Sequence, residues 1–298
     1  MRILITGSSG LIGSALLAAF RARGDEVKPL LRRPSPGDSK PFWLPEKDKI
    51  ELGGEATFDA VIHLAGETVA QRWTAAVKKR IRDSRVRGTE LLCKALANLA
   101  HPPRILLCAS AIGFYGDRGD EILDEDSAPG RGFLADVCRA WEAATATATT
   151  AGIRVVHLRF GVVLSATGGA LQKMLPVFRL GLGGRMGDGK QFRSWIALAD
   201  AVAAIQLILE NPAFFGPVNI VGPGPIRNIE FVQAMARMLH RRALVAVPRF
   251  AIKLAMGEMG EEALLSSIRA TPRRLEQQGF QFQFRSLESA LREALGVD

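Results

Sequence analysis

The hydrophobic positions of this chain change period in a regular way. Arg2 to Thr6, "RILIT", is a short apolar run ending at a glycine, and Leu11 to Arg23 repeats alanine and leucine at helical spacing until Gly24 closes it. "EVKPLL", "DAVIHLA", "RILLCAS" and "RVVHLRF" follow as further apolar runs at helix-separated intervals. Strands that are apolar throughout and alternate with amphipathic helices predict a parallel sheet covered on both faces, the doubly wound α/β arrangement.

From about Leu164 the alternation breaks down. "GGALQKMLPVFRLGLGGRMGDGKQFRSWI" reads as irregular, glycine-rich chain around a short helix, and a helix near Ala201 to Glu210 leads to "GPVNIVGP". The remainder predicts helices with short strands at "LVAVP" and "FQFQF" and an amphipathic helix over Leu287 to Leu295. The expected organisation is a Rossmann-type nucleotide-binding domain over 1–163, its sheet completed by part of 195–222. Residues 164–298 mainly form a smaller carboxyl-terminal, substrate-side domain over the sheet's carboxyl edge.

The first turn carries the first chemical signal. "TGSSGLIG" places Gly7, Gly10 and Gly13 between a strand and a helix. The first glycine permits the tight turn, the second lets backbone approach a pyrophosphate, and the third lets helix pack on strand, with the helix amino terminus aimed at the phosphates. The end of the second strand normally selects the cofactor, because an acid there bonds the ribose 2′-hydroxyl. Here "VKPLLRRP" has Arg32 and Arg33 instead. Guanidinium groups pair bidentately with a 2′-phosphate, so the expected cofactor is NADP(H) rather than NAD(H).

Composition changes this picture little. Lysine and arginine number 39 against 30 acids, a net charge of +9. The densest stretch, "KKRIRDSRVR" from Lys78 to Arg87, has Ile81 and Val86 at helical spacing and no interleaved aromatics. It predicts a solvated helix face partly used for an anionic cofactor, with no nucleic-acid partner. No apolar run reaches the roughly 18 residues of a membrane span, and the amino terminus lacks the pattern of a secretion signal, so a cytoplasmic protein without a membrane partner is expected. Cys93, Cys108 and Cys138 stand singly in apolar surroundings, and the four histidines are scattered. Buried free thiols and no metal site are expected. Association is left open between monomer and homodimer.

In order along the chain, "TGSSGLIG", "DAVIHLAGE", "CASAIGFYG", "WIALAD" and "GPVNIVGP" resemble the extended short-chain dehydrogenase/reductase pattern. "LAGETVAQRW", "SRVRGT", "RFGVVLSATGGAL", "GLGGRMGDGKQFRSWI", "IRNIEF" and "TPRRLEQQGFQFQF" resemble more closely its atypical, epimerase-like branch, the short-chain dehydrogenase/reductase 39U-like family, whose members bind NADP(H) and carry a characteristic carboxyl-terminal segment. The resemblance spans essentially the whole chain. It implies that Ser8, Leu11 and Ile12 join the three glycines at the cofactor, that Leu64, Ala65 and Gly66 lie along the adenosine side, and that Arg85 meets phosphate or ribose. It places Ala109 beside the cofactor and Val163 near the nicotinamide, with Glu67 and Trp195 in the substrate pocket. "WIALAD" departs from many extended enzymes, because Ala197 and Ala199 leave only Asp200.

The larger departure concerns the proton. Short-chain reductases move it through a tyrosine whose pKa is lowered by a lysine four residues on, since a free phenol titrates near 10 and is a poor relay at neutral pH. This chain has one tyrosine, Tyr115, followed four residues later by Gly119, and no lysine between Lys94 and Lys173. Counting back from Glu142 puts Leu134 and Cys138 at the two positions, on one helix face that is apolar. Ser110 best matches the serine that holds the substrate oxygen, with Ala111 as the other alignment. Tyr115 is the candidate substitute acid, or a pocket-lining residue. Glu67 and Asp117 are carboxylates near strand ends. The expected function is oxidoreductase or epimerase chemistry on a small polar substrate, with the proton delivered by Tyr115, a carboxylate or water. The alternative is a non-catalytic NADP(H) sensor.

Overall fold

Six parallel strands carry the fold: β1 (Arg2–Thr6), β2 (Glu26–Leu30), β3 (Ala60–His63), β4 (Ile105–Ala111), β5 (Arg154–Phe160) and β6 (Gly216–Ile220). They lie in the order β6-β5-β4-β3-β1-β2. The computed structural model describes residues 1–32, 41–53, 57–243 and 245–297. Helices α1 (Leu11–Ala22), α2 (Ala75–Ala97), α3 (Phe133–Ala143) and α4 (Leu198–Glu210) cover the sheet. Ile3 and Ile5 of β1 face α1 and α4 in one core with Leu16, Phe20, Ile205 and Val218. Leu4 faces the opposite core with Leu92, Leu106 and Trp141. One strand therefore feeds two cores, which is why it is apolar at every position between its ends.

"GPVNIVGP" supplies β6, paired beside β5 from Gly216 to Ile220. Beyond β2, Phe42–Leu44 pairs antiparallel with Lys49–Glu51, and a single bridge joins Leu31 to Phe42. A third core gathers Leu164, Leu171, Trp195, Phe231, Met235, Leu287 and Leu291, joining α5 (Asn228–Met238) and α6 (Leu287–Leu295) to the chain that follows β5. No helix among the described residues is long and apolar enough to cross a membrane.

"LVAVP" contributes the expected strand, Val245–Val247, parallel to Gly184–Met186. "FQFQF" does not form one. Its alternation has another cause: Phe282 belongs to the core under α1 and α4, whereas Phe284 belongs to the third core. Its backbone is held by a side chain, since Asp200 accepts from Gln283 N at 2.8 Å and Phe284 N at 3.1 Å. A peptide spanning two cores thus imitates the period of a half-buried strand.

Candidate functional site

The glycine turn after β1 is built as the spacing requires. Gly7 has φ +67°, and a Cβ on it would lie 2.9 Å from the Leu64 carbonyl carbon. A Cβ on Gly13 would collide with the Gly7 carbonyl oxygen, which accepts from Gly10 N at 3.0 Å. Gly10 caps α1 without a side-chain hydrogen bond, and the first turn holds no acid. The leading N–H groups of α1 are thereby left to an external anion, and the missing Cβ atoms make room for a pyrophosphate against the backbone. Ser8 and Ile12 are half-buried in this turn. Leu11 reaches across it, because a Cβ on Gly168 would stand 3.1 Å from its side chain.

Beneath the turn lies a buried hydroxyl and imidazole chain. Thr6 Oγ1 accepts from Leu64 N and Ala65 N at 3.1 and 3.2 Å, so its proton goes to His63 Nδ1 at 2.7 Å. That assigns the His63 proton to Nε2, which donates to Thr89 Oγ1 at 3.0 Å. Trp141 Nε1 donates to the same oxygen at 3.0 Å. Burial, with the charges of Arg32 and Arg85, lowers the His63 pKa to about 3, so the ring is neutral throughout the physiological range.

Arg32, exposed after β2, lines a cavity of ≈ 260 Å³ with Arg80, Arg87, Ser84 and Glu67. Arg33 lies outside the described residues. Glu67, expected in the substrate pocket, belongs here: its N–H donates to Ser84 Oγ at 3.0 Å, and Gln71 Nε2 donates to its carboxylate at 3.3 Å. Arg85 lies under this strand end, donating to Glu67 O at 2.9 Å. Gly66 packs closely beside it, since a Cβ there would be 3.2 Å from the guanidinium carbon.

A second cavity, ≈ 230 Å³, opens where β4 and β5 end, at Ala111 and Phe160. Carboxyl ends of parallel strands are where α/β sheets bind ligands. Leu134 and Cys138 both line it, so the expected apolar face of α3 does face the pocket. Burial pushes the Cys138 thiol up to about 11. Arg139 is paired with Asp136 and exposed. All three cysteines are buried and free. Val163 sits in the strand after β5 and packs on the core under α1, while Ala109 is buried on the opposite face.

Ser110 and Tyr115, expected at the reacting centre, are placed elsewhere. Ser110 Oγ donates to Glu142 at 2.7 Å. Glu142 is gripped by Arg159 through Nε and Nη2 at 2.8 and 2.9 Å, with Arg159 buried and Glu142 partly so. Arg159 Nη1 donates to Tyr115 Oη at 3.1 Å, and Tyr115 donates to Asn219 Oδ1 at 2.7 Å. Tyr115 is fully buried, and burial pushes its phenol up to about 12. A hydroxyl in this setting braces β4 against β5 and β6; neither residue lines the cavity. Trp195 also departs from expectation: it is 2% exposed in the third core, its Nε1 donating to Gly224 O at 2.8 Å. Its large apolar ring is better satisfied there than at a solvated mouth. Asp117 accepts from Ser267 N at 3.0 Å in a separate, shallow cavity.

Two lining residues were not anticipated. Arg193 donates to the carbonyls of Ala263, at 3.1 Å, and Leu264, and burial lowers its pKa to about 10. Glu262 accepts from Phe133 N and Leu134 N, both at 2.8 Å. Each comes from outside the strand-and-helix alternation; only the "QFRSWI" motif signalled Arg193, and no motif signalled Glu262.

Residues 3–242 match the model of the NAD dependent epimerase/dehydratase family, and residues 247–294 match a domain of unknown function (DUF1731). The chain is 43% identical to an epimerase family protein of Mycobacterium bovis over 97% of its own length and 96% of the relative's. It is 35% identical to human epimerase family protein SDR39U1, covering 98% and 99%. The crystal structure of that human protein (isoform 2) with NADPH superposes with a TM-score of 0.89 at 33% identity, covering 99% of both chains.

Proposed function

Because this chain belongs to the NAD dependent epimerase/dehydratase family, we propose that it is an NADP(H)-binding oxidoreductase or epimerase that works without a tyrosine–lysine dyad. Its small polar substrate binds in the cavity at the ends of β4 and β5. The observation that carries the cofactor reading is the glycine turn, with an uncapped, acid-free α1 amino terminus and Arg32 where an acid would select NAD(H). The NADPH bound in the human relative's crystal structure supports the same choice. Bound at this turn, the cofactor would supply hydride transfer.

The chain's own residues do the rest. Gly7, Gly10 and Gly13 admit the pyrophosphate, and Arg32 with Arg80 and Arg87 presents guanidinium groups to the 2′-phosphate. Leu134, Cys138 and Phe160 give the second cavity apolar walls that exclude water, and Arg85 and Arg193 give it positive charge. A small polar substrate would set its oxygen-bearing group against that positive charge.

Fluorescence titration tests the cofactor. NADPH is expected to bind at least tenfold more tightly than NADH, and Arg32→Ala to remove most of that tenfold, ~1.4 kcal/mol. Equal affinities in the unaltered protein would overturn the choice. NADPH consumption across a panel of aldehydes, ketones and nucleotide sugars tests the reaction. Tight NADPH binding with no consumption by any of them favours the sensor instead.

A further inference from the structure

The cavity at the ends of β4 and β5 has one carboxylate among its described lining residues, and it comes from the far end of the chain. Glu262 sits in a single π-helical turn, Gly260–Leu265. Such turns occur often at functional sites. Its two oxygens accept the N–H groups of Phe133 and Leu134, the first residues of α3, each at 2.8 Å. Each oxygen keeps a lone pair free. Leu134 is the residue standing where the family's tyrosine is expected. The carboxylate is therefore held at the start of the helix that lacks the proton relay.

The fit is specific on both sides. Gly132 precedes α3 at φ +110°, and a Cβ there would stand 2.9 Å from Glu262 Oε1. Only glycine allows both that backbone conformation and the carboxylate's approach. On the other side, Arg193 donates to Ala263 O and Leu264 O, and Gln191 Nε2 donates to Leu264 O at 3.3 Å. Ser266 Oγ closes the turn on Glu262 O at 2.6 Å. Three other carboxylates near strand ends are committed elsewhere: Glu142 to Arg159, Glu67 to the Arg32 cavity, Asp117 to Ser267.

We propose that Glu262 is the acid–base residue of this cavity, supplied by the carboxyl-terminal segment in place of the tyrosine missing from α3. The proposal rests on the hydride-transfer reading above. In the reducing direction a substrate carbonyl carbon gains hydride, its π pair moves to oxygen, and the proton of the Glu262 carboxyl passes to that oxygen to form the hydroxyl. Glu262 is left as a carboxylate and regains its proton from solvent. In the oxidising direction the carboxylate takes the hydroxyl proton while the carbon gives up its hydrogen with the electron pair.

Glu262→Gln keeps a carbonyl oxygen for one of the two N–H groups and removes the ionisable carboxyl; Glu262→Asp keeps it on a shorter arm. With NADPH and 4-nitrobenzaldehyde, Glu262→Gln is expected to lower kcat about 100-fold, with the NADPH Kd within twofold of the unaltered protein. Glu262→Asp is expected to fall between them.

A second readout needs no turnover. In calorimetry on cofactor-free protein, Glu262→Gln should change the affinity for 4-nitrobenzaldehyde at least threefold. If Glu262→Gln keeps the kcat and the aldehyde affinity of the unaltered protein, Glu262 only caps α3; the proposal falls and the oxidoreductase reading stands. If the unaltered protein binds NADPH but consumes none with any carbonyl, the reading falls and takes the proposal with it.

Discussion

The ends of β1 and β4 lie two strands apart in one sheet and solve the same problem, buried polar groups at a strand end, in opposite ways. At β1 the solution is uncharged: Thr6, a neutral His63 and Thr89 pass hydrogen bonds beneath the glycine turn. At β4 it is ionic: Ser110 and Tyr115 are tied through the Glu142–Arg159 pair to Asn219 of β6. A neutral chain leaves the turn above it open to an anion. The ionic cluster consumes the hydroxyls that would otherwise face a substrate. The glycine turn is therefore built as its spacing requires, whereas the hydroxyls at the end of β4 are bound within the protein.

The two ends should break differently. Glu142→Ala leaves Arg159 charged and buried, and is expected to cost about 3–5 kcal/mol in denaturant unfolding. A loss below about 1 kcal/mol would mean that water reaches the pair. Gly13→Ala strikes the other end. Its Cβ meets the Gly7 carbonyl oxygen, so NADPH affinity should fall at least 100-fold, about 2.7 kcal/mol. Circular dichroism should show the fold retained, and an unchanged NADPH titration would refute the close packing of turn and helix.

Acid separates the ends without a mutation. The folded pKa of His63, about 3, lies below its unfolded value near 6.5, so the unfolded chain binds the extra proton between them. Stability from this residue is complete above pH 6.5 and declines as pH falls toward 3, reaching a loss of about 2 kcal/mol at pH 5. Burial lowers the His157 pKa as well, which adds in the same direction. His63→Asn should remove the larger part of the slope between pH 6.5 and 5 in chemical denaturation. The smallest effect is expected for Tyr115→Phe, which removes one buried hydrogen-bonded hydroxyl for about 1 kcal/mol. With NADPH and 4-nitrobenzaldehyde, its kcat should stay within twofold of the unaltered rate. A tenfold fall would return Tyr115 to the mechanism.

The legibility of this chain follows the locality of its interactions. The sheet, the glycine turn and the apolar α3 face were readable because each is fixed by neighbours within one strand–turn–helix unit. Leu134 and Cys138, which helical spacing puts on one face, both line the cavity. Trp195 and Tyr115 lie away from the pocket because their side-chain directions depend on partners far along the chain, Gly224 and Asn219. Glu262 was invisible for the same reason, since its partners are 128 and 129 residues away. "FQFQF" deceived because two cores imposed a period of two on a segment with no strand partner.

That last segment also sets when the molecule can finish folding. Leu275 and Phe282 are part of the core beneath α1 and α4, and Asp200 of α4 is satisfied by backbone at 283 and 284. The core beneath α1 and α4 therefore stays incomplete until residues 275–284 dock on a sheet whose last strand ends at Ile220. Contacts of such long sequence separation are slow to form, so closing this core is expected to be a late step of folding.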